Sequence, residues 1–546
     1  MSISIAHINN AVSEVVPDRA ALVFRDLTLT FAEVAERTNR LANVLLKHGV
    51  TISRERDTLE NWQCGQSTVA LYLYNGNEYL EGMLGAFKAR AVPFNINYRY
   101  VAEEVRYVLL DAGTEAVVYH KRFAPVVREA IDNLTTLKCL IEVDDDSDVA
   151  SIPGALNYET ALSQASPACP ELSWSVDDIY MLYTGGTTGM PKGVLWRQGD
   201  SVVAQLAGRD NAGNLLSTLD AFRERALNQG GHRILPTSPF MHGAGSFSSF
   251  AAWHAGNTVV IQSDVARLNP ADVLATAERH RTNMVLLIGD AFGRPLATEA
   301  ASGQYNLDAV KVLFNTGALL SEEVKHQLLL HFPRARIVDG LGSSETGPQA
   351  VSISNSSDSA ISGAFVPNNE TFVIADDRKT RLSPGDDSVG WLTRSGCCPL
   401  GYLNDKDKTQ RTFPVIDGVR HVISGDRVRW RADGVIEYQG RESFTINSGG
   451  EKIFAEEVEH ALALHPDVED VLVSSRSSRR WGQEVVAVVQ MKAGEQGNEA
   501  SLNATASKVI ARYKLPKHFV FVERIKRGAN GKADYRWAKA LAESES

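Results

Sequence analysis

The feature that most constrains the fold of this chain is a repeated alternation of apolar runs of strand length with stretches of helical period. Three such runs are each followed by a helix-like stretch: 68–73 by 78–90, 283–288 by 290–302, and 310–314 by 321–331. This alternation is typical of βα units around a largely parallel sheet. It predicts an α/β fold with a large N-terminal body of βα-layered sheets.

Polar residues mark where several of these helices are expected to begin. Thr30 and Glu33 have the spacing of a capping box, in which each side chain accepts from the other residue's backbone amide. Asp290 and Ser321 stand at the starts of two later helices, where a side-chain oxygen can accept from an unpaired amide. We therefore predict that helices begin at these three places.

The pattern changes near residue 440. The chain from there predicts a helix, two strands, a second helix and a last strand, at 455–462, 468–474, 485–491, 500–512 and 518–522. A unit of about a hundred residues is within the usual size of an independent domain. We predict two domains, a body of residues 1–440 and a small α+β domain of residues 441–546.

The charge balance narrows the classes of partner. The chain has 546 residues, with 56 lysines and arginines against 66 aspartates and glutamates, a formal net charge of −10. That balance leaves no overall basic field to hold nucleic acid or an anionic membrane surface. No run of about 18 apolar residues occurs, and the N-terminus lacks a secretory signal. We expect no nucleic-acid partner and no transmembrane segment.

The number and spacing of the cysteines indicate the redox state of the compartment in which the protein is found. They are Cys64, Cys139, Cys169, Cys397 and Cys398, an odd number with one adjacent pair and no Cys-x-x-Cys spacing. Such a set is typical of reduced thiols rather than of a disulfide framework or a zinc site. We therefore expect a cytoplasmic protein.

The segment 183–193 carries the strongest chemical signal. Its sequence is Tyr-Thr-Gly-Gly-Thr-Thr-Gly-Met-Pro-Lys-Gly, directly after an apolar strand. Glycines let backbone amides turn inward, threonine hydroxyls add donors and Lys192 adds a positive charge, a combination that suits a polyphosphate. It is not a P-loop, because Pro191 precedes the lysine and Gly193 follows it. Taken alone, such a loop is more often a flexible turn with a solvated lysine.

The same segment resembles the phosphate loop of the adenylate-forming enzymes, the superfamily of acyl-CoA synthetases, luciferases and peptide-synthetase adenylation domains. Other signatures of the superfamily follow it along the chain, so the resemblance extends from about residue 10 to 540. The resemblance implies that the phosphates of ATP are bound by Thr184, Gly185, Gly186, Thr187, Thr188, Gly189 and Lys192.

The second signature, Gly-Tyr-Gly-x-Thr-Glu, is similar to Gly-Leu-Gly-Ser-Ser-Glu at 340–345. The resemblance implies that Glu345 binds Mg²⁺ and that Ser344 lies at a phosphate oxygen. Hard oxygen ligands are what Mg²⁺ requires. Leu341 replaces the tyrosine that usually stacks on adenine, so the packing there would be aliphatic. Without the family, an isolated glutamate in such a loop is more often a turn residue.

Further segments resemble ATP-binding parts of the superfamily. The segment 315–319 matches the one that lies along adenine and the acyl carboxylate, and 424–426 matches Thr-Gly-Asp, whose carboxylate accepts from the ribose hydroxyls. Alone, the aspartate of 424–426 would be a common turn residue. The resemblance assigns ATP binding to Gly317, Ala318, Asp339, Gly340, Leu341, Asp426 and Arg441.

The start of the C-terminal domain resembles the hinge and the thiol channel of the superfamily. Ser443 stands at the hinge, where an aspartate or lysine is usual. Ser448, Gly449 and Gly450 match the loop that lines the channel for coenzyme A after the small domain rotates. The resemblance therefore implies a mobile C-terminal lid.

The segment 527–535 is close to the last signature of the superfamily, Pro-x-x-x-x-Gly-Lys. An isolated lysine of this kind is usually just solvated. After the preceding motifs, the resemblance implies that Lys532 bridges the acyl carboxylate and the α-phosphate, stabilising charge as five-coordinate phosphorus forms. The implied catalytic residues are Lys532, Glu345 and Ser344.

The segment 239–243 matches the superfamily motif at the mouth of the acyl tunnel. His242 would lie beside the carboxylate of the acid, and Gly243 would let backbone and substrate approach closely. A histidine in an apolar run can also be a satisfied core residue, and that alternative stays open.

The resemblance implies a two-step reaction with ATP, Mg²⁺ and coenzyme A. A small-molecule carboxylic acid forms an acyl-adenylate and pyrophosphate, and coenzyme A then displaces AMP. Segments 192–198, 289–296, 446–452 and 532–539 are similar to fatty-acyl and steroid side-chain CoA ligases. An acid-thiol ligase acting on a fatty acid or a steroid side-chain acid is the function that the sequence predicts.

Two alternatives stay open. Amino-acid or aryl-acid adenylating enzymes use another acceptor, but amino-acid enzymes typically carry Phe-Asp where this chain has Phe240-Met241-His242. A catalytically inactive, ATP-binding regulatory protein would be expected to lack Lys532 or Glu345, and both are present. No G-x-S-x-G, H-E-x-x-H or G-x-G-x-x-G motif supports a hydrolase, zinc protease or dehydrogenase. The sequence leaves open whether the chain forms a homodimer.

Overall fold

The structure is a computed structural model and describes residues 3–185, 190–210, 212–318, 320–355, 362–441, 445–492, 494–526 and 534–544. Its helices are α1 (Ile5–Val15), α2 (Phe31–Lys47), α3 (Asn77–Lys88), α4 (Ala102–Asp111), α5 (Ala124–Ala130), α6 (Tyr158–Gln164), α7 (Gln198–Gln205), α8 (Leu219–Gln229), α9 (Gly243–His254), α10 (Pro270–Arg279), α11 (Gly289–Ala300), α12 (Glu322–His331), α13 (Lys406–Thr412), α14 (Ala455–Ala463), α15 (Glu499–Ala506) and α16 (Tyr535–Ser544). Within the described ranges, no helix is both long and apolar enough to cross a membrane.

Strands form the other half of the architecture. They are β1 (Ala20–Phe24), β2 (Leu27–Thr30), β3 (Thr68–Tyr72), β4 (Val92–Asn95), β5 (Ala116–His120), β6 (Cys139–Val143), β7 (Leu156–Asn157), β8 (Ile179–Gly185), β9 (Pro191–Arg197), β10 (Arg233–Pro236), β11 (Thr258–Ile261), β12 (Met284–Leu287), β13 (Val312–Thr316), β14 (Arg336–Ser343), β15 (Gly347–Ser354), β16 (Ala364–Pro367), β17 (Thr371–Ile374), β18 (Val389–Ser395), β19 (Gly401–Tyr402), β20 (Val415–Ile416), β21 (Val419–Trp430), β22 (Ile436–Arg441), β23 (Thr445–Ser448), β24 (Glu451–Phe454), β25 (Val468–Ser478), β26 (Gly482–Met491) and β27 (His518–Val522).

The largest sheet has the strand order β17-β18-β21-β22-β16-β15-β14-β13-β12-β10-β11-β1-β2, with β20 beside β21. Strands β1, β11, β10, β12, β13 and β14 run parallel to their neighbours in that order, as the alternating pattern predicts. The pairing becomes antiparallel between β14 and β15 and stays so as far as β17. The change follows from the connection, because a short turn can join only antiparallel neighbours.

Two smaller sheets complete the N-terminal part of the chain. One has the all-parallel order β4-β3-β5-β6-β7, and every residue of β3 and β5 is buried, as expected where helices cover both faces. The other has the order β19-β9-β8. Its β8 and β9 flank the glycine-rich segment that the sequence singles out, so this sheet presents that segment.

The residues after 444 form an α+β unit, as predicted. Strands β24-β23-β26-β25 make a sheet to which β27 adds in parallel beside β26. Apolar clusters consisting of residues from Ile446 onwards fill the space between this sheet and its helices. The predicted helix 500–512 is shorter in the structure, because α15 ends at Ala506, where the amides of Val509 and Ile510 both donate to the Ala506 carbonyl oxygen and the chain turns.

The predicted helix starts are confirmed at all three positions, and the predicted side-chain caps at two of them. The Glu33 amide donates to Thr30 Oγ1 at 3.2 Å and the Thr30 amide donates to Glu33 Oε2 at 2.7 Å, which is the capping box of α2. Ser321 caps α12 by accepting from the Val324 amide. Asp290 lies in the first turn of α11 but does not cap it, since its carboxylate accepts from the amide and hydroxyl of Ser321, each at 2.7 Å. It therefore secures the start of the next helix.

A buried carboxylate joins three helices of the N-terminal part. Glu81 on α3 is fully buried and accepts from Arg37 Nε on α2 at 2.7 Å. The Tyr158 hydroxyl on α6 donates to the same carboxylate at 2.7 Å. A buried charge is costly unless its hydrogen bonds are satisfied. The Glu81 carboxylate therefore stabilises the packing of the three helices only while Arg37 and Tyr158 donate to it.

We expect Tyr158→Phe to lower the free energy of unfolding by about 1.5–3 kcal/mol, the usual worth of a hydrogen bond to a buried charge. Tyr305→Phe is the matched control, because its hydroxyl donates to Glu299 at the same distance of 2.7 Å in a more exposed position. That variant should lose less than about 1 kcal/mol. Urea denaturation followed by tryptophan fluorescence measures both, and equal losses would contradict this assignment.

Candidate active site

A cavity of about 790 Å³ lies at the carboxyl ends of the parallel strands in the largest sheet. Strands β10, β12, β13 and β14 run in the same direction, and the residues just after or at their ends line the cavity. These include Ser238, Ile288, Gly317 and Leu341. The carboxyl edge of a parallel sheet is where open α/β folds bind ligands, since successive loops converge there.

The glycine-rich segment reaches this cavity from β8 and β9. Thr184 pairs in register with Lys192, and Gly185 pairs with Pro191, so the strands hold the two ends of the segment together. Thr184 lines the cavity, and its buried Oγ1 makes no hydrogen bond to any residue that the structure describes. A free buried hydroxyl at this place fits a phosphate oxygen. The other predicted phosphate ligands, Gly186, Thr187, Thr188 and Gly189, lie outside the described residues.

Lys192 is held by two carboxylates. Its Nζ lies 3.7 Å from Asp111 Oδ1 and 3.9 Å from Asp405 Oδ2. Burial would lower the pKa of Lys192, but Asp111 and the other nearby groups outweigh it and raise that pKa above its usual value. The lysine is therefore charged at neutral pH, as the binding of phosphate requires.

The turn between β14 and β15 places the second signature. Gly340, Leu341 and Ser344 line the cavity. Glu345 follows them and is buried, and its Oε1 accepts from the Tyr402 hydroxyl at 3.0 Å. The carboxylate is thus oriented by a neighbour, and its oxygen atoms are the ligand type that Mg²⁺ prefers.

The end of β13 is stabilised by a buried polar network. Gly317 has φ +77°, a left-handed conformation that favours glycine, and it lines the cavity. Asn315 Nδ2 donates to the Ala318 carbonyl oxygen at 3.0 Å and to Asp339 Oδ1 at 2.8 Å. The Asp339 carboxylate also pairs with the buried Lys325, so it braces this turn from beneath.

The predicted ribose ligand lies at the antiparallel end of the sheet. Asp426 on β21 is buried, and its carboxylate accepts from the Ser424 hydroxyl at 2.9 Å and from the Tyr438 hydroxyl at 3.4 Å. Arg441 at the end of β22 pairs in register with Asp426. The side chain of Arg441 and all of Ser443 lie outside the described part of the structure.

Helix α9 forms a long wall of the cavity. It begins at Gly243, directly after His242, and both residues line the cavity. One face of α9 continues that wall, through Ala244, Phe247, Ser248, Ala251 and Ala255 just beyond its end. Their spacing of three to four residues keeps them on the same side of the helix. Mostly small side chains on this face leave room for a ligand along about 18 Å of helix.

The walls of the cavity that face α9 are largely apolar. They include Leu182, Met241, Met284 and Phe292. Away from His242, the cavity ends among polar residues such as Asn257, whose Oδ1 accepts from the His232 amide at 3.0 Å. The cavity thus joins a charged end, near the glycine-rich segment, to an extended apolar arm.

The predicted channel loop enters the same cavity from the C-terminal unit. Gly449 and Gly450 line it, with φ of +60° and +86°. A Cβ at Gly450 would lie 3.1 Å from Ile288 Cγ2, so only glycine allows so close an approach. Ser448 ends β23 beside them and pairs in register with Glu451. The structure therefore brings this loop next to the wall that α9 and Ile288 form.

A carboxylate that sequence reasoning missed ties this loop to the rest of the site. Glu451 Oε1 accepts from Arg99 Nη1 at 2.6 Å, and Oε2 accepts from Asn97 Nδ2 at 3.3 Å. The same oxygen lies 3.3 Å from His242 Nε2. Burial would raise the pKa of Glu451, but His242 and Arg99 outweigh it and lower that pKa to about 2. Glu451 is therefore ionised at neutral pH.

Two sequence signals could have pointed to this contact. Glu451 directly follows the Gly-Gly pair of the predicted channel loop. Asn97 and Arg99 follow β4, at the carboxyl edge of the all-parallel sheet. Their meeting could not be inferred from spacing, since more than 350 residues separate them, as the separations of 352 and 354 along the chain show.

Lys532 lies outside the described residues. The residues that flank its segment are described, and Lys526 Nζ lies 3.2 Å from Asp534 Oδ2. This pair joins the two ends of the segment to each other. The position of Lys532 relative to the cavity stays a prediction.

The chain belongs to the AMP-binding enzyme family. The model of that family matches residues 10–401, and the model of the AMP-binding enzyme C-terminal domain matches residues 457–532. The resemblance to the adenylate-forming superfamily is thereby confirmed.

Particular relatives narrow the class. The chain is 46% identical to the medium-chain acyl-CoA ligase Mig of Mycobacterium avium, over 97% of each chain. It is 36% identical to a 3-oxocholest-4-en-26-oate–CoA ligase of Rhodococcus rhodochrous, over 99% of this chain and 96% of the relative. Among solved structures, the amide bond synthetase McbA from Marinactinospora thermotolerans superimposes with a TM-score of 0.78 over 99% of both chains, at 18% identity. At that identity the likeness shows the fold alone.

Proposed function

We propose that the protein is an ATP-dependent acyl-CoA ligase that activates a fatty acid or a steroid side-chain acid. The acid attacks ATP to give an acyl-adenylate and pyrophosphate, and coenzyme A then takes the acyl group and releases AMP. The enzyme is an acid-thiol ligase, as its acyl-CoA ligase relatives are.

One observation carries the proposal. A single cavity is lined by Thr184 from the glycine-rich segment, by the turns after β13 and β14, by His242 and the apolar face of α9, and by the Gly449–Gly450 loop. ATP, an apolar acid and a thiol must meet at one place for this reaction. The cavity supplies a polar end, an apolar arm and an entrance beside the channel loop.

The first step is substitution at the α-phosphorus. A carboxylate oxygen of the acid forms a bond to this phosphorus, and the bond from it to the oxygen bridging to the β-phosphorus breaks. No protein nucleophile is needed, because positioning and charge stabilisation lower the barrier. Thr184, Lys192 and Ser344 would hold the phosphates, which would compete with Asp111 and Asp405 for the lysine. Lys532 would stabilise the charge that develops.

The fit of Mg²⁺ rests on Glu345 and its surroundings. The Glu345 carboxylate is oriented by Tyr402 and lies next to Ser344 at the cavity wall. Magnesium in nucleotide sites is usually held by one or two carboxylates together with substrate phosphates. When bound, the ion would neutralise phosphate charge, and Glu345 would be its protein ligand.

The nucleoside of ATP would extend from this point towards β21. We propose that Gly317, Ala318 and Leu341 pack along adenine, with aliphatic contact where relatives use a tyrosine. Asp426 would accept from the ribose hydroxyls, and Arg441 would lie near ribose and phosphate. Asp339 acts beneath this surface through Asn315.

The second step is attack by the thiolate of coenzyme A on the acyl carbonyl carbon. The carbon–sulfur bond forms and the bond to the phosphate oxygen of AMP breaks. We propose that residues 1–440 are the body and 441–546 a lid that turns at Ser443 between the steps. The described arrangement suits the second step, because Gly449 and Gly450 border the cavity. Ser448 would then help to line the channel for the thiol.

The apolar arm indicates the class of acid. About 18 Å of α9 has length for a medium or long acyl chain, with the carboxylate at His242. The relatives act on medium-chain and steroid acids, which are both long and apolar. His242 would orient the carboxylate, and its contact with Glu451 would keep the ring in place.

Two broader expectations remain predictions. A cytoplasmic location agrees with the cysteines, since Cys64, Cys139, Cys169, Cys397 and Cys398 are free thiols in the structure. Formation of a homodimer is a further prediction, which size-exclusion chromatography with light scattering would test.

The proposed function is tested with ATP, Mg²⁺ and a panel of fatty, steroid side-chain, aryl and amino acids. Pyrophosphate release with fatty or steroid acids, followed by AMP release when coenzyme A is added, is the expected result. Activity with amino acids alone would instead favour an amino-acid adenylating enzyme. Absence of pyrophosphate with every acid would leave only an inactive ATP-binding protein.

We expect Lys532→Ala to lower the rate of acyl-adenylate formation by about 100-fold or more, because charge on the α-phosphate loses its partner. Thioester formation from a supplied acyl-adenylate should change little. Pyrophosphate release and thioester yield measure the two steps separately. Lys508→Ala, at an exposed lysine of the same C-terminal unit, is the control and should affect neither step. Equal losses in both steps would contradict the role given to Lys532.

Bulky side chains on α9 should shorten the longest acid accepted. We expect Ala251→Trp to remove activity on long chains and keep activity on short ones, because the indole fills the apolar arm. Ala255→Trp is the matched comparison, because Ala255 lies about 6 Å further along the helix axis and should permit longer chains. Activity against acids of graded length measures both, and identical cut-offs would show that α9 does not line the acyl site.

A further inference from the structure

A buried cluster of three charged side chains crosses from the N-terminal part of the chain to the C-terminal unit. Lys514 Nζ lies 2.6 Å from Glu104 Oε1 and 2.5 Å from Glu457 Oε1. Glu104 belongs to α4, whereas Glu457 lies on α14 and Lys514 ends the short turn after α15. The three side chains are 2–5% exposed.

The cluster is built for one geometry. Glu104 Oε2 accepts from the Val101 amide at 2.9 Å, so the carboxylate is fixed by the start of its own helix. The Lys514 ammonium lies 4.4 Å from the centre of the Tyr100 ring, a cation–π contact. Ion pairs this deeply buried stabilise only while every member is paired, because each charge has lost its water.

The charges do not balance within the cluster. Two carboxylates share one ammonium, and burial, together with the neighbouring Glu104, raises the pKa of Glu457 to about 7 although Lys514 opposes this rise. Both carboxylates therefore depend on the same lysine. If Glu104 moved away, Lys514 would keep one partner, and Glu104 would face water or apolar side chains alone.

The cluster also adjoins the active-site cavity. Glu457 and Lys514 line it, as does Tyr513. Asn97 Nδ2 donates to the Tyr513 hydroxyl at 3.1 Å and to Glu451 at 3.3 Å, which joins the cluster to the channel loop. Lys514 thus lines the same cavity as Gly449 and Gly450.

We propose that Lys514 and Glu104 are positioning residues for the thiol-transfer step. This inference rests on the proposed two-step function and adds a contact that selects one orientation of the lid. The pair joins body and lid, so it forms only when the Gly449–Gly450 loop borders the cavity, and it must break when the lid turns to bring Lys532 to the phosphate. Neither residue touches the reacting atoms.

Glu104→Gln tests the pair while sparing the rest of the helix. The amide oxygen of glutamine can still accept from the Val101 amide, so α4 keeps its first turn. Glu103→Gln is the matched control, because Glu103 is the exposed neighbour on the same helix and loses the same charge. Each variant is compared with wild type in both half-reactions, with saturating acid and ATP.

We expect Glu104→Gln to slow thioester formation from a supplied acyl-adenylate about tenfold or more, as loss of one partner from a buried pair does. Pyrophosphate release should stay within about twofold of wild type, because that step uses the other orientation. Glu103→Gln should leave both steps unchanged. A purely structural role for Glu104 would slow the two steps alike.

Lys514→Met provides an independent arm from the lid side, with Lys517→Met as its exposed control. It should produce the same split between the steps. Because it leaves Glu104 and Glu457 without a cation, each variant is assayed below its own melting temperature, and Lys514→Arg, which keeps the positive charge, should restore most of the thioester formation. The double variant should lose no more than about the larger single loss, since the two residues act through one contact. Multiplying losses would mean that they act independently, against the proposal.

The outcomes separate this inference from the proposed function. Wild-type protein that releases no pyrophosphate with any acid contradicts the proposed function itself. Wild-type protein that completes both steps, while Glu104→Gln behaves like Glu103→Gln or slows both steps equally, overturns only the role of the pair.

Discussion

The site depends on one constraint, the common direction of β10, β12, β13 and β14. Parallel strands place all their carboxyl ends at one edge, so loops far apart in sequence must converge there. The antiparallel pairing that begins at β15 then closes this edge on one side. Thr184, at the start of the glycine-rich segment, and one face of α9 line the same cavity, which therefore has polar and apolar walls.

A second physical theme is the use of buried charge where the two parts of the chain meet. Glu451 is ionised in a nearly dry place because Arg99 and His242 surround it. Lys514 likewise holds two carboxylates, one from α4 and one from α14. A buried ion pair loses most of its stabilisation when its partners are misaligned. Such contacts therefore add little to the free energy of folding, but they strongly favour one orientation of the two parts that they join. The contacts of Glu451 with Arg99 and of Lys514 with Glu104 therefore fix the orientation of the C-terminal unit against the rest of the chain.

Sequence patterns predicted the secondary-structure elements better than they predicted which side chains would pair. The strands 68–73 and 283–288 and the helix beginning at Thr30 were readable, because their signals are local. Asp290 was placed correctly at a helix start, yet its carboxylate serves Ser321 of the following helix. Helix 500–512 was predicted too long, because Val509 and Ile510 continue the apolar pattern and pack in the core although the helix ends at Ala506.

The sequence by itself determined the α/β class, the family and the order of its motifs, because helical period, strand runs and glycine-rich signatures are properties of neighbouring residues. Only the tertiary structure decided that Glu451 meets Arg99 and that Lys514 meets Glu104, pairs separated by 352 and 410 residues. It also decided that Asp339 braces the site from beneath. Contacts of this kind depend on how sheets and domains pack, and chain spacing carries no record of that packing.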